Sequence, residues 1–460
     1  VLTYNGRATN GGPIFDPAAM LYVRTEDLDA NGQMLAGAPV EPLILRAAAG
    51  DCIEVTLHNN LDVNSFPFQN GGKPSATIGM HPQLLSYDMM SCNAENVGTN
   101  PVQTVLPGQS RTYRWYAGTV ETLPDGTRVA TPVEFGSTNL MPVDHIEHTA
   151  KGLIGALIVE PQGSTWVEDA ASRASATVTK ADGTIFRDFV LMFQDDVELQ
   201  CAAGFNLAKF QSAVNYCTEP MWQRMGYDPA NTTAQQTGLM DMTGVCSNSM
   251  VGGDPITPMF TAEVGTPVRF RLLFPGGLGA QNQVFQLNGH IWQRAPFTNG
   301  STVLGNNPDS EWTGSQHVGP TSHFDLLLMN GAGGMFGVPG DYLYRTLAPD
   351  HFDAGIWGVF RVTEGAMASC ATDADCDDGV WCNGIETCVA GVCQAGPAPN
   401  CGLLDIDADG DFDSQDVDAF YSAVLGVPIA PEHMANSDVN FDGLTDGMDI
   451  QTYLDAMMGF

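Results

Sequence analysis

Two stretches near the C-terminus carry residue types whose spacing implies metal chemistry. They are Asp405-x-Asp407-x-Asp409-Gly410-x-x-Asp413-x-x-Asp416 and Asp438-x-Asn440-x-Asp442-Gly443-x-x-Asp446-x-x-Asp449. Calcium takes about six to eight oxygen ligands, and a twelve-residue loop with side-chain oxygens at positions 1, 3, 5, 9 and 12 and a glycine at position 6 wraps around it. The backbone carbonyl at position 7, here Asp411 or Leu444, completes such a set. Two calcium sites are expected, because a merely acidic, solvated tail has no reason to repeat every ligand position. Each loop runs into a helical apolar pattern, for example Val417, Phe420, Tyr421, Val424 and Leu425.

A second constellation involves imidazoles and the amides that stand where imidazoles would make a metal site. The strand-like stretch Gln283-Val-Phe-Gln286-Leu-Asn288-Gly-His290 offers three amides. His81, His145, His148 and His351 are the candidate copper ligands, since two or three imidazoles can hold a mononuclear copper. Structural histidines satisfied by hydrogen bonds are the other reading. The 20 methionines, Met89-Met90 and Met457-Met458 among them, do not form Met-x-x-Met boxes, so core packing accounts for them.

The elements that must position these groups read as β structure. Runs such as Cys52-Ile-Glu-Val-Thr-Leu57, Thr112-Tyr-Arg-Trp-Tyr116 and Val268-Arg-Phe-Arg-Leu-Leu-Phe274 are bounded by turn residues, in a chain with 51 Gly and 28 Pro. The chain also repeats itself. Ala49-Gly-Asp-Cys-Ile-Glu-Val55 returns as Val264-Gly-Thr-Pro-Val-Arg-Phe270, and His148-x3-Gly152-x2-Gly155-x3-Val159 returns as His351-x3-Gly355-x2-Gly358-x3-Val362. Two copies of one β-domain are expected, over 1–163 and 164–369, with an insertion near 197–255.

With 460 residues the chain has room for several domains. Its longest apolar run, Leu153 to Val159, is too short to span a bilayer. A start at Val1 fits a mature chain freed of a secretion signal. The net charge of −35 argues against nucleic acid or an anionic membrane as partner and favours cations. From Cys370 to Phe460 there are 18 acidic residues and no Lys or Arg, which marks a separate unit. Six cysteines, at 370, 376, 382, 388, 393 and 401, lack a Cys-x-x-Cys pair and suggest a disulfide-stapled spacer over 370–401 and an extracytoplasmic location. Among the other five, Cys52 with Cys92 and Cys201 with Cys217 are the expected pairs.

The duplicated loop-helix unit over 402–460 resembles a type I dockerin, with Asp at position 12 in place of the Glu of an EF-hand. The resemblance implies a calcium-dependent fold and a cohesin-like or self-assembly partner. The repeated β-domains resemble the cupredoxin domains of multicopper oxidases over roughly 40–162 and 185–364. Gly50-Asp-x-Ile-x-Val55, Tyr87-Asp88, Thr104-Val-x-Pro107-Gly108, Gly340-Asp-Tyr-Leu-Tyr-Arg345 and the closing His-x3-Gly-x2-Gly carry the likeness. The expected fold is mainly β: two cupredoxin-like sandwiches, the spacer and a small α-helical calcium module.

That resemblance gives the amides a meaning. In the family, the strand matching Gln283 to His290 supplies copper-binding histidines, so Gln283, Gln286 and Asn288 are replaced ligand positions. So are Gln83, in His81-Pro82-Gln83, and Leu343, where the closing loop would carry His-Cys-His. A blue-copper centre needs a thiolate and imidazoles, whereas amides form neutral hydrogen bonds. The expected function is a secreted, non-catalytic scaffold or assembly subunit attached through calcium. The alternative is a copper-dependent oxidoreductase or copper-binding protein with a site around His81, His145 and His148.

Overall fold

The computed structural model describes residues 1–8, 11–62, 75–202, 207, 211–226, 242–277, 279, 281–297, 301–365, 372, 387–389, 392–394, 406, 414–440 and 443–458. Val1–Thr363 form one compact unit and Glu364–Phe460 another. The described structure is mainly β with few helices. No helix among the described residues is long and apolar enough to cross a membrane.

In the first unit, β1 (Leu2–Asn5) pairs antiparallel with β2 (Ile14–Asp16). A first sandwich follows: β3 (Leu43–Ala48), β4 (Cys52–His58), β5 (His81–Pro82), β6 (Ser110–Tyr116), the hairpin β7 (Gly118–Thr122) and β8 (Arg128–Pro132), β9 (Gly136–Met141), the short helix α1 (Glu147–Ala150) and β10 (Gly155–Glu160). One sheet has the order β3-β10-β9-β5, and β4 pairs with β6 in the other.

The second sandwich contains β11 (Thr165–Asp169), β12 (Ser172–Thr179), β13 (Ile185–Gln194), β14 (Gln200–Cys201), β15 (Ala213–Val214), the helix α2 (Met221–Arg224), β16 (Met259–Glu263), β17 (Val268–Gly276), β18 (Gln283–Leu287), β19 (Trp292–Gln293), β20 (Trp312–Thr313), β21 (Ser315–Val318), β22 (His323–Leu327), β23 (Gly340–Thr346), the helix α3 (Pro349–Asp353) and β24 (Trp357–Thr363). Its sheets run β11-β12-β13-β17-β22 and β16-β24-β23-β18-β21. Described parts of the 197–255 stretch join this body: Val197 and Leu199 enter the core, and β14 adds to β2.

The repeat in the sequence is a repeat in backbone geometry. In each copy the closing strand pairs parallel with an early strand, β10 with β3 and β24 with β16. Before each closing strand a short helix carries the histidine, and the chain turns at a glycine of positive φ, Gly152 (87°) or Gly355 (114°). The following residue then hydrogen-bonds to the histidine carbonyl, Leu153 N to His148 O and Ile356 N to His351 O. The motif is therefore a helix-to-strand turn that needs a left-handed residue.

Strand β10 explains the apolar run at 153–159. Leu157 and Val159 face the core of the first sandwich, while Ala156 and Ile158 face a core shared with the second. A strand buried on both faces has no polar alternation to show.

The cysteine pairs expected at 52/92 and 201/217 are not formed; all four are free thiols, as is Cys246. Cys52 lies on the outer face of β4 with Glu54 and Thr56, whereas Cys92 is buried in the first core, where its sulfur accepts from Arg114 N. Opposite faces of a sheet cannot share a disulfide. Cys201 pairs with Ile14 on one side of the β1–β2 ribbon, and Cys217 lies beside β1, where Thr218 N donates to Tyr4 O. Strands spaced about 4.8 Å apart put the two beyond disulfide reach.

In the second unit, β25 (Thr387–Val389) and β26 (Val392–Gln394) form a hairpin with Cys388 opposite Cys393, and Cys388 is disulfide-bonded. Cys370, Cys376, Cys382 and Cys401 lie outside the described residues. Helices α4 (Ser414–Val424), α5 (Pro431–Asn436) and α6 (Asp449–Met458) follow. Ile406, Phe420, Val439 and Tyr453 form their core, with the Phe420 and Tyr453 rings stacked at 3.8 Å. Those four are two repeat-related pairs, so the duplicated sequence folds into a duplicated core.

Candidate functional site

The candidate copper ligands are each engaged with protein groups. His81, on β5, has Nδ1 2.9 Å from Asn93 O and its ring edge-on to Tyr87. His145 Nε2 lies 2.7 Å from Glu95 Oε1, two residues along the same segment. His148 is fully buried in α1; Nε2 donates to Ser75 O at 2.6 Å, Nδ1 is buried without a partner, and burial holds its pKa below the usual value. His351, the repeat equivalent in α3, is bonded within the second sandwich, with Nδ1 3.0 Å from Asp195 Oδ1 and 3.2 Å from Ser212 Oγ. Among the described residues, no three His, Cys, Asp or Glu side chains are grouped as a metal ion needs.

The amides do not converge either. On β18, Gln283 points inward with Phe285 and Leu287, and its Oε1 accepts from Thr346 Oγ1 at 2.8 Å. Gln286 belongs to the opposite face of the strand and Asn288 is exposed. Gln83 Oε1 accepts from Asn139 Nδ2, which also reaches Thr321 O and Ser322 O in the second sandwich. Leu343 packs near Trp357 and Met221. His290 is fully satisfied: Nδ1 donates to Asn288 O, and Nε2 accepts from Gly333 N and Gly334 N.

Between the sandwiches lies a site that sequence reasoning missed. Arg46 and Glu160 project from neighbouring strands β3 and β10 toward the second sandwich, whose β13, β17 and β22 supply Asp188, Arg271 and Asp325. Arg46 Nη1 lies 2.6 Å from both Glu160 Oε1 and Asp188 Oδ2. Arg271 donates through Nε to Asp188 (2.6 Å), Nη1 to Asp325 (2.8 Å) and Nη2 to Glu160 (2.9 Å), and Asp325 Oδ1 also accepts from Ser137 N. The side chains of Arg46, Glu160, Asp188 and Arg271 are 0 % exposed.

Three carboxylates against two guanidiniums leave this cluster one negative charge in excess. Burial, then the neighbouring Asp188 charge, pushes Glu160 up to about 7. Burial acts to raise Asp188 too, but Arg271 and Arg46 outweigh it and hold Asp188 below the ordinary carboxylate range. The cluster therefore accommodates a proton on Glu160 near neutrality. The only trace in sequence was Arg at alternate positions of Val268-Arg-Phe-Arg-Leu, which reads equally well as a solvent face.

In the tail, Asp405, Asp407, Asp409, Asp411, Asp413 and Asp442 lie outside the described residues. In the second loop, Asp438 Oδ2 accepts from Gly443 N at 2.9 Å. The two Asp449 oxygens accept from Asn440 N (3.2 Å) and Asp446 N (2.8 Å), so this side chain ties the loop to the start of α6. Asp449 and its repeat partner Asp416 are both 0 % exposed, whereas Leu444 turns its side chain to solvent.

No family model matches the sequence, and no curated protein matches it. Among solved structures the chain is similar to a multicopper oxidase, with TM-score 0.40 and 16 % identity over 70 % of this chain and 78 % of that one. It is also similar to a blue copper oxidase from Nitrosomonas europaea, with TM-score 0.39 and 16 % identity over 75 % and 83 % of the chains. A copper nitrite reductase from the same organism has TM-score 0.38 and 18 % identity over 71 % and 84 %.

Proposed function

We propose that this is a secreted, non-catalytic scaffold or assembly subunit, with paired sandwiches as its rigid body and a dockerin-like, calcium-dependent module as its attachment. The observation that carries the reading is the engagement of the candidate ligand positions: His81, His145 and His351 are bonded to protein groups, and Gln283 and Gln286 belong to opposite faces of β18. The ion cluster between the sandwiches supports the rigid body. His148 Nδ1, buried without a partner, is the one observation that favours the alternative, a copper-binding protein or oxidoreductase.

The donor chemistry of the tail fits calcium. Asp416 and Asp449 are buried carboxylates in a segment that has no Lys or Arg and only His433 as a basic side chain. Buried carboxylates call for a compensating cation, and oxygen donors at these spacings suit a hard divalent one. When bound, calcium supplies that positive charge. Asp438, Asn440, Asp446 and Asp449, with Asp405, Asp407, Asp409, Asp413 and Asp416 in the first loop, would hold it. Exposed apolar side chains recur at repeat-related positions, Val417 with Ile450 and Tyr421 with Leu454, and provide the surface for a cohesin-like partner.

Chelation with EDTA should remove much of the helical circular dichroism of the tail and open the region after Cys401 to proteolysis, while residues 1–363 stay resistant. Restored calcium should reverse both changes. A tail equally resistant with and without chelator would overturn the calcium-dependent half of the proposal.

A further inference from the structure

Asp16, Lys151 and Glu198 meet where the end of β2, the end of α1 and the segment between β13 and β14 come together. Lys151 is one of four lysines in the chain, and its side chain is only 4 % exposed. Its Nζ lies 2.7 Å from Glu198 Oε2 and 3.7 Å from Asp16 Oδ2. The Asp16 side chain is fully buried; Oδ1 accepts from Ala18 N at 2.7 Å, and Oδ2 is buried without a hydrogen-bond partner.

Each of the three is anchored by its own backbone. Asp16 ends β2 opposite Leu2 of β1. Lys151 follows α1, and its carbonyl accepts from Met20 N at 2.8 Å, just beyond β2. Glu198 stands between Val197 and Leu199, which are both in the core.

A buried ion pair is stable only when its charges meet with good geometry. Here the ammonium bonds to the partly exposed Glu198 and stands off from the fully buried Asp16, close to the separation from which an amine attacks a carboxyl carbon. Burial pushes the Asp16 pKa up, more than Lys151 and the Ala18 hydrogen bond pull it down. The protonated carboxyl is the electrophilic form, and a desolvated lysine beside a carboxylate base is an activated nucleophile.

We propose that Lys151 Nζ and Asp16 Cγ join in an intramolecular amide bond, formed in the folded chain with Glu198 as general base. Glu198 takes one proton from the Lys151 ammonium, and the neutral Nζ attacks Cγ of protonated Asp16. As the Cγ–N bond forms, the Cγ–OH bond breaks, and the hydroxyl leaves as water with a second proton from Nζ. The proton on Glu198 then passes to solvent, so one water is lost and nothing is oxidised or reduced. The bond ties the β1–β2 ribbon to the first sandwich, in a unit where Cys52, Cys92, Cys201, Cys217 and Cys246 are free thiols. It is independent of calcium and of the attachment assigned to the tail.

The test is the intact mass of the purified full chain, denatured and reduced, followed by tryptic mapping. The chain should be lighter than its sequence mass by one water. The digest should contain a branched peptide that joins the segment carrying Asp16 to the segment carrying Lys151, uncut after Lys151. Lys151→Arg keeps the positive charge but cannot form this amide, and Glu198→Gln removes the base; both should recover the full sequence mass. Should either variant fail to fold, the mapping of the unaltered chain decides alone. A full sequence mass with separate Asp16 and Lys151 peptides, or a lost water that maps to another site such as an aspartyl succinimide, would overturn the inference.

Discussion

Replacing Arg271 with Met should lower the stability of the 1–363 unit by about 3–5 kcal/mol, the range for breaking a buried ion pair from one side. Arg271 touches Glu160, Asp188 and Asp325 at 2.6–2.9 Å from a fully buried position. Its loss leaves Glu160 and Asp188 sharing Arg46 and Asp325 without a guanidinium, in a place almost closed to water. The cost comes from the charges left behind more than from the bonds removed, so protonation of the remaining acids should recover part of it at low pH. Arg114→Met is the contrast: that guanidinium lies 2.6 Å from Glu54 but is 72 % exposed, and its loss should cost no more than about 1 kcal/mol. Denaturant midpoints for the two variants check the difference. Similar small losses for both would show that the cluster does not hold the sandwiches together.

Glu160→Gln should remove a pH dependence that the unaltered protein carries between about pH 4.5 and 7. Glu160 is pushed up to about 7 in the folded state from an ordinary value of 4.5. Across that window the unfolded chain releases the proton while the folded one keeps it. Stability from this group is thus fully present below pH 4.5 and lost as pH rises through 7. At about 1.4 kcal/mol per pKa unit the loss is on the order of 3–4 kcal/mol. Asp188, held low, acts at the other end, losing stability only as pH falls through its depressed value.

Burial lowers His148, His290 and His323, so those groups favour the folded state as pH rises through 6.5 and partly mask the Glu160 slope. The difference between Glu160→Gln and the unaltered protein, measured by denaturant unfolding at pH 5, 6 and 7.5, isolates it. The variant should gain relative stability with rising pH; a constant difference would contradict a proton held at Glu160.

What the sequence made legible was what lies close together along it. The β runs, the His-x3-Gly-x2-Gly turns and the doubled apolar positions of the tail are local patterns, and the backbone repeats them faithfully. One misreading was also local: Cys52 shares its face with Glu54 and Thr56, so period-two geometry already argued against the 52/92 disulfide. The ion cluster was hidden for a different reason. Its members come from five strands between Arg46 and Asp325, and a buried Arg is indistinguishable from an exposed one until both sheets are in place.

The most direct test of the scaffold reading is elemental analysis of the purified full-length protein, loaded with copper and calcium and then exhaustively dialysed. The account predicts calcium near two per chain, from the two loops, and copper near zero, because His81, His145 and His351 are already bonded within the protein. Copper near one per chain, abolished by His81→Ala and His148→Ala, would contradict it and establish a copper site at the end of the first sandwich.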